Sequence, residues 1–280
     1  AILYLLEQPD IDVVALTFSG TGIAHCPAAA ENTSALLERL GAADIPVACG
    51  RTTPLAGSNE APPMFRTAAD TLGGVDLPEP RPLSDLDAPA LLADTIGSTK
   101  DVVVVALGPL TNLAEAVEDD VHVLDNVAMM YLMGGAVDAG GNVLENSEAE
   151  FNIWADPLAA QIVFATDVPI TLVPLDATNY LPVTPYLYQA VEAHRDYSEV
   201  SRFTAEYLEV SPLFGGMYHW DELAAVVATD ESVVTIEERM IAIDDVGATV
   251  EDTDGKVIRV AVAADPAAFE DHFYSAIIGT

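Results

Sequence analysis

The chain has 280 residues, of which 45 are acidic and 10 basic, for a formal charge of −35. It is nonetheless 51% hydrophobic, with a mean hydropathy of +0.30, which excludes a disordered acidic tail. The scarcity of cations excludes nucleic-acid binding by phosphate neutralisation, and no apolar run approaches the roughly 18 residues of a membrane span.

In chain order, short β-branched runs alternate with helical patterns. Asp12–Phe18 reads as a buried strand, Ala28–Leu40 as an amphipathic helix and Ile45–Cys49 as the next strand. Asp101–Leu107 (DVVVVAL) is continuously apolar, as suits a strand covered on both faces. The helix Leu110–Val117, the strand Val127–Met133, the helix Pro157–Ala165 and the strand Pro169–Leu175 follow. This alternation predicts an α/β fold, a doubly wound and mostly parallel sheet with helices on both faces. In the tail, Val233–Ile243 and Val257–Val262 read as a strand pair and Pro266–Ile278 as a closing helix. No repeat or linker divides the chain, so residues 1–280 are read as one domain. Two irregular stretches stand out, Arg51–Pro82 and the Gly-rich Gly134–Ala149. The second follows a predicted strand directly, where open α/β sheets bind their ligands.

The acids are dispersed along the chain, without a long block. Dispersed acids on an apolar chain describe a folded protein with an anionic surface, whose self-repulsion is screened by salt. A halophilic, cytoplasmic protein is expected. The opening AILYLLEQPD shows no basic n-region of a secretory signal, and two cysteines, Cys26 and Cys49, offer no disulfide framework.

Four segments collect polar residues where strands should end. Leu107–Asn112 (LGPLTN) is a strand-to-helix turn that also reads as an ordinary βα loop. Gly140–Pro157 holds Asn142, Glu150 and Asn152 before Asp156-Pro157, a helix start with Asp156 as its N-cap. In an extended segment Glu150 and Asn152 would point the same way, as residues gripping one ligand do. Pro174–Asn179 offers Asp176, as a supporting partner or a cap. Met217–Val226 offers Trp220 and Asp221, which taken singly read as core and cap. The five histidines lack mutual metal-ligand spacing, and no HExxH, GxGxxG, P-loop or GxSxG occurs. The oxygen-rich groups that remain suit a hard cation such as Ca²⁺.

In this order the segments ALTFSGTG, IPVACG, ALGPLTNLAEAV, MMYLMGGAV, AEFNIWADPLAAQIVF, PITLVPLDATNYLPVT and WDELAAV resemble the inosine–uridine-preferring nucleoside hydrolase family. The resemblance runs from Ala1 to about Ala228 and is weaker beyond. It implies water-driven cleavage of the N-glycosidic bond of ribonucleosides in salvage metabolism, with bound Ca²⁺, and a homo-oligomer. By position, Leu107 would lend a main-chain carbonyl and Asp221 a carboxylate to the metal. Glu150 and Asn152 would hold the ribose hydroxyls, with Asn142 a less secure partner. Trp220 stands where some members have a histidine, and resembles the branch that stacks purines between aromatic rings. The family's first strand ends in a DxDxxxDDA-type motif that supplies most metal carboxylates and the general-base aspartate. Neither that strand nor the motif occurs here, and Asp10 and Asp12 lie in the wrong place. A fragment of a complete enzyme is expected, with a naturally inactive homologue as the alternative. The chain as written is expected to bind Ca²⁺ weakly and to lack hydrolase activity. The competing functional reading is a module that binds a nucleoside or sugar without cleaving it.

Overall fold

The β-branched runs do form strands, but the strands divide between two sheets. The computed structural model describes residues 1–210 and 216–279. After a short helix, α1 (Ile2–Leu6), strand β1 (Leu16–Phe18) pairs in parallel with β2 (Val47–Cys49), and α2 (Cys26–Leu40) connects them. The second sheet has the order β3-β4-β5-β8-β6-β7. Its β3 (Val102–Ala106), β4 (Val127–Met133), β5 (Ile170–Val173) and β8 (Lys256–Ala264) are parallel. The strand β6 (Val234–Ile243) is antiparallel to β8 and to β7 (Thr249–Glu251), so the predicted tail pair is present with one further short strand.

Several helices start or stop at residues suited to their ends. In α2 a proline opens the first turn and Gly41, at φ 74°, closes the last in the left-handed region. Helices α3 (Pro63–Asp70) and α4 (Ala88–Ser98) follow, the latter capped by Asp87, whose carboxylate accepts from the Ala90 N–H. Next come α5 (Thr111–Asp119), α6 (Phe151–Ala155), α7 (Pro157–Phe164) and α8 (Leu175–Thr178). The set closes with α9 (Pro185–Ala193), α10 (Glu199–Val210), α11 (Trp220–Val227) and α12 (Pro266–Ile278). Of these, α4, α6, α7 and α12 carry a side-chain cap at the N-terminus.

Two apolar clusters cover opposite faces of the larger sheet. Leu132, Met130, Leu172 and Val260 pack against α4, α5 and α7. Met133, Val173 and Ala261 pack against α8 to α12 and Tyr4 of α1. Burial of each large side chain stabilises by roughly 1.5–3 kcal/mol, so this double cover holds the sheet. It is the doubly wound arrangement that the alternation of elements predicts.

Four expectations need correction. The strand β3 is not covered throughout: it pairs only with β4 among the described residues, and Val103 is 49% exposed. The first strand is three residues, not seven, and among the described residues pairs only with β2. Each of β1 and β3 thus keeps one edge without a strand partner among the described residues. The stretch Arg51–Pro82 is not irregular throughout, since it holds α3 and a 3₁₀ turn at Leu72–Gly74. The two cysteines do pair: Cys26 at the start of α2 and Cys49 at the end of β2 form a disulfide, with Cα atoms 5.6 Å apart.

All eight arginines have a carboxylate within ion-pair distance, Arg39 bridging Glu199 and Glu206 and Arg239 reaching Asp138, Glu237 and Glu251. Four more acids, Asp70, Asp125, Glu222 and Asp230, lie beside a histidine, and the 45 acids still far outnumber the 10 lysines and arginines.

Candidate functional site

The loops that follow β3, β4 and β5 meet at the carboxyl ends of these parallel strands. After β4 the chain turns at Gly135, which has φ 79° and whose missing Cβ would lie 2.8 Å from the Thr249 hydroxyl oxygen. Only glycine fits there. The turn aims the Gly135 N–H at Glu150 Oε2, 3.0 Å away. The same oxygen accepts from the N–H groups of Asn152 (2.9 Å) and Ile153 (3.2 Å).

Glu150 is therefore the N-cap of α6, and Asn152 lies inside that helix. The extended segment assumed from the sequence is not formed. The two side chains converge for a different reason: the carboxylate folds back over the helix start and takes the Asn152 N–H. All three of these bonds fall on Oε2, so Oε1 keeps its acceptor capacity. Glu150 is buried, and burial pushes its carboxyl up to about 7 against the pull of the backbone N–H donors.

Asn152, also buried, donates from Nδ2 to the Met133 carbonyl at 3.1 Å and to the Leu107 carbonyl at 3.4 Å. It ties the end of β4 to the residue following β3. Asn142 is exposed, and its Oδ1 accepts from the Phe151 N–H at 2.9 Å. It stands beside Glu150 but outside the buried pair. Its loop closes tightly: a Cβ on Gly141 would lie 2.1 Å from the Ala149 carbonyl oxygen.

Asp221 and Trp220 open α11, whose N-cap is His219, not Asp221. Burial raises the Asp221 carboxyl to about 7, with Glu222 and Glu150 pushing the same way and the Ala1 ammonium opposing. The influence of Glu150 brings Asp221 into the same electrostatic neighbourhood. Trp220 is half-buried, tilted against Tyr218 at 5.9 Å, and its indole N–H is buried without a partner. Trp154 packs against Phe151 instead, with ring centroids 6.0 Å apart.

Sequence reasoning left Asp176 open between cap and support. It is a brace: its carboxylate accepts from the N–H groups of Val137 (2.8 Å), Asp138 (2.7 Å) and Ala139 (3.0 Å) in the loop after β4. Two neighbours were missed. Glu222 lies against His219, with Oε2 3.8 Å from Nδ1. Asp156 does more than cap α7, since its Oδ2 also accepts from the Leu55 N–H and the Thr111 hydroxyl. The acidic residue next to Asp221 is the only sequence signal for the first, and the second reads from sequence as an N-cap alone.

Ca²⁺ takes about 6–8 oxygen ligands. Among the described residues no group of three or more His, Cys, Asp or Glu could hold a metal. The Leu107 carbonyl and the Asp221 carboxylate are thus too few to retain the ion alone, and the Leu107 oxygen already faces the Asn152 amide.

The comparison with known families decides the kinship. The model of the inosine-uridine preferring nucleoside hydrolase family matches residues 1–271. The chain belongs to this family. It is 36% identical over 186 residues to uridine nucleosidase 1 of Arabidopsis thaliana, a stretch covering 66% of this chain and 54% of that protein. It is 33% identical over 181 residues to the pyrimidine-specific ribonucleoside hydrolase RihA of Escherichia coli, covering 64% of this chain and 57% of that one. The chain spans about half the length of the curated relatives it matches. Over 100% of its own length it resembles the purine-preferring ribonucleoside hydrolase from Gardnerella vaginalis, with a TM-score of 0.85, 29% identity and 94% of that chain covered. A nucleoside hydrolase of Bacillus anthracis shares the fold, at a TM-score of 0.87 and 21% identity, with 100% and 94% of the two chains covered. No described helix of this family member is long and apolar enough to cross a membrane.

Proposed function

We propose that the protein serves hydrolysis of the N-glycosidic bond of ribonucleosides to ribose and free base, in nucleoside salvage, and that these residues hold the nucleoside. The observation that carries the reading is the convergence of Glu150, Asn152 and the Leu107 carbonyl at the ends of β3 and β4. Family membership supports it.

In this reading Glu150 accepts a ribose hydroxyl through Oε1, while Oε2 stays locked by backbone donors. A carboxylate held there opposes the positive charge that grows on the ribosyl ring as the bond to the base breaks. The locked geometry means little reorganisation is needed at that moment. Asn152, with Nδ2 spent on two carbonyls, has its Oδ1 for a second hydroxyl. Asn142 fixes the Phe151 N–H and so steadies the helix start on which Glu150 sits. Trp220 offers a flat π surface to the base, which favours the larger purines. The names of the relatives divide between uridine, pyrimidine and purine substrates, so the purine preference rests on Trp220.

Ca²⁺ is the ion this reading adds; when bound it would polarise the ribose diol and an attacking water. Leu107 and Asp221 would be this chain's contributions to it. The missing donors and the general base belong to the aspartate strand that the resemblance expects. The place we assign to that strand is between β1 and β3, each of which pairs with a single strand among the described residues. The turns after these two strands meet there, Thr21 Oγ1 lying 2.9 Å from Thr111 Oγ1.

An inosine cleavage assay with Ca²⁺ tests the reading. These 280 residues alone are expected to give no turnover. Adding a strand with a DxDxxxDD motif ahead of Ala1 is expected to produce it. Robust turnover by the chain alone would overturn the assignment of the base.

A further inference from the structure

Asp156 is fully buried and lies outside the ligand-facing group. Its Oδ1 accepts from the Ala159 N–H at 3.2 Å, which is all that an N-cap of α7 requires. Its Oδ2 is bound elsewhere, by the Leu55 N–H at 2.9 Å and the Thr111 hydroxyl at 2.8 Å. These donors are 101 and 45 residues distant in sequence, so they are not part of any local cap.

The hydroxyls form a directed chain. Thr111 has one hydroxyl hydrogen, and a carboxylate, which only accepts, takes it. Thr21 Oγ1, 2.9 Å from Thr111 Oγ1, must then donate to Thr111. Ser19 Oγ, 2.5 Å from Thr21 Oγ1, must in turn donate to Thr21. The chain runs from Ser19 through Thr21 and Thr111 to Asp156. It joins the turn after β1, the loop after β2 at Leu55, the Leu107–Thr111 turn after β3, and the junction of α6 with α7.

We propose that Asp156 is a positioning residue for the nucleoside site. Acting through Thr111, it fixes the Leu107–Thr111 turn against α6, and so sets the spacing between the Leu107 carbonyl and the Glu150–Asn152 pair. Asp156 itself touches no substrate. The proposal rests on the nucleoside reading above, because that reading gives the spacing its purpose.

The test compares Thr111→Val, which removes the hydroxyl at nearly constant volume, with Thr111→Ser, which keeps it. Inosine is titrated into the wild-type chain and both variants, and hydrogen exchange is measured on the ligand-free proteins. Losing a hydrogen bond to a buried carboxylate should weaken inosine binding by about tenfold in Thr111→Val. Thr111→Ser should stay within about twofold of the wild type. Exchange should rise together over residues 52–57, 107–112 and 150–156 in Thr111→Val, with β6 and β8 unchanged. Equal affinity of the two variants overturns the positioning role. If the wild-type chain binds no inosine, the nucleoside reading fails separately, and exchange decides the coupling. A joint rise over the three segments supports it, and a rise confined to residues around Thr111 overturns it.

Discussion

Asn152 donates from Nδ2 to the main-chain oxygen of Met133 at 3.1 Å, so an amide on α6 is held by the last residue of β4. The same nitrogen reaches the Leu107 oxygen, just past β3, at 3.4 Å. One side chain thus spans two parallel strand ends, where an open α/β sheet places its ligands.

Replacing Asn152 by Ala leaves the buried Met133 carbonyl and the part-buried Leu107 carbonyl short of a donor. Each lost partner costs about 1–3 kcal/mol. Asn152→Ala is expected to lower the melting temperature and to weaken inosine binding together, measured by calorimetry. Unchanged stability with weakened binding would show that Asn152 serves the ligand alone.

Glu150 gives a pH signature. Burial raises its carboxyl from the ordinary 4.5 to about 7 in the folded chain. The folded state therefore holds a proton between these values that the unfolded state has released, and stability falls as pH rises from about 4.5 to about 7. Asp221, raised to about 7 mainly by burial, adds in the same direction. Glu150→Gln is expected to melt higher than the wild type at pH 8 and to flatten the dependence between pH 5 and 8. An unchanged profile would mean that Glu150 is not titrating in this range.

Much of this arrangement is legible in the sequence. The strand Val127–Met133 and the helix Pro266–Ile278 fall where the pattern puts them, because the first is a full apolar run and the second has a proline start and a glycine stop. Glu150, Asn152 and Leu107 are found together as the motif order implies. Local pattern misleads where a partner outside the pattern decides the outcome. Val103 reads as buried, yet β3 is an edge strand, and sequence periodicity does not report which neighbours are present. Asp156 reads as a cap, and its bonds to Leu55 and Thr111 depend on tertiary contacts no spacing encodes. The pairing of Cys26 with Cys49 likewise depends on α2 folding back beside β2.

That disulfide closes a loop with a sequence separation of 23 in the half of the fold that shares no strand pairing with the larger sheet. Cross-linking a loop of this size stabilises by about 3 kcal/mol in the chain-entropy view. Cys26→Ser, or reduction with a phosphine, is expected to lower the melting temperature by several degrees. Hydrogen exchange should rise first in β1 and β2. No change on reduction would show that the bond adds nothing to the folded state.

The charge of −35 makes its own prediction. Repulsion between exposed carboxylates is screened over about 10 Å at 0.1 M salt and about 3 Å at 1 M. The melting temperature is expected to climb from low to multimolar KCl. A flat or falling response would remove the halophilic reading of the composition.

In the proposed function Glu150 and its neighbours form a nucleoside site. Calorimetric titration of inosine into the wild-type chain and into Glu150→Gln at pH 8 tests it most directly. Saturable binding is expected for the wild type, with a loss of about tenfold or more in the variant, since a charged acceptor for a ribose hydroxyl is removed. Equal binding by the two proteins, or none by either, would contradict it.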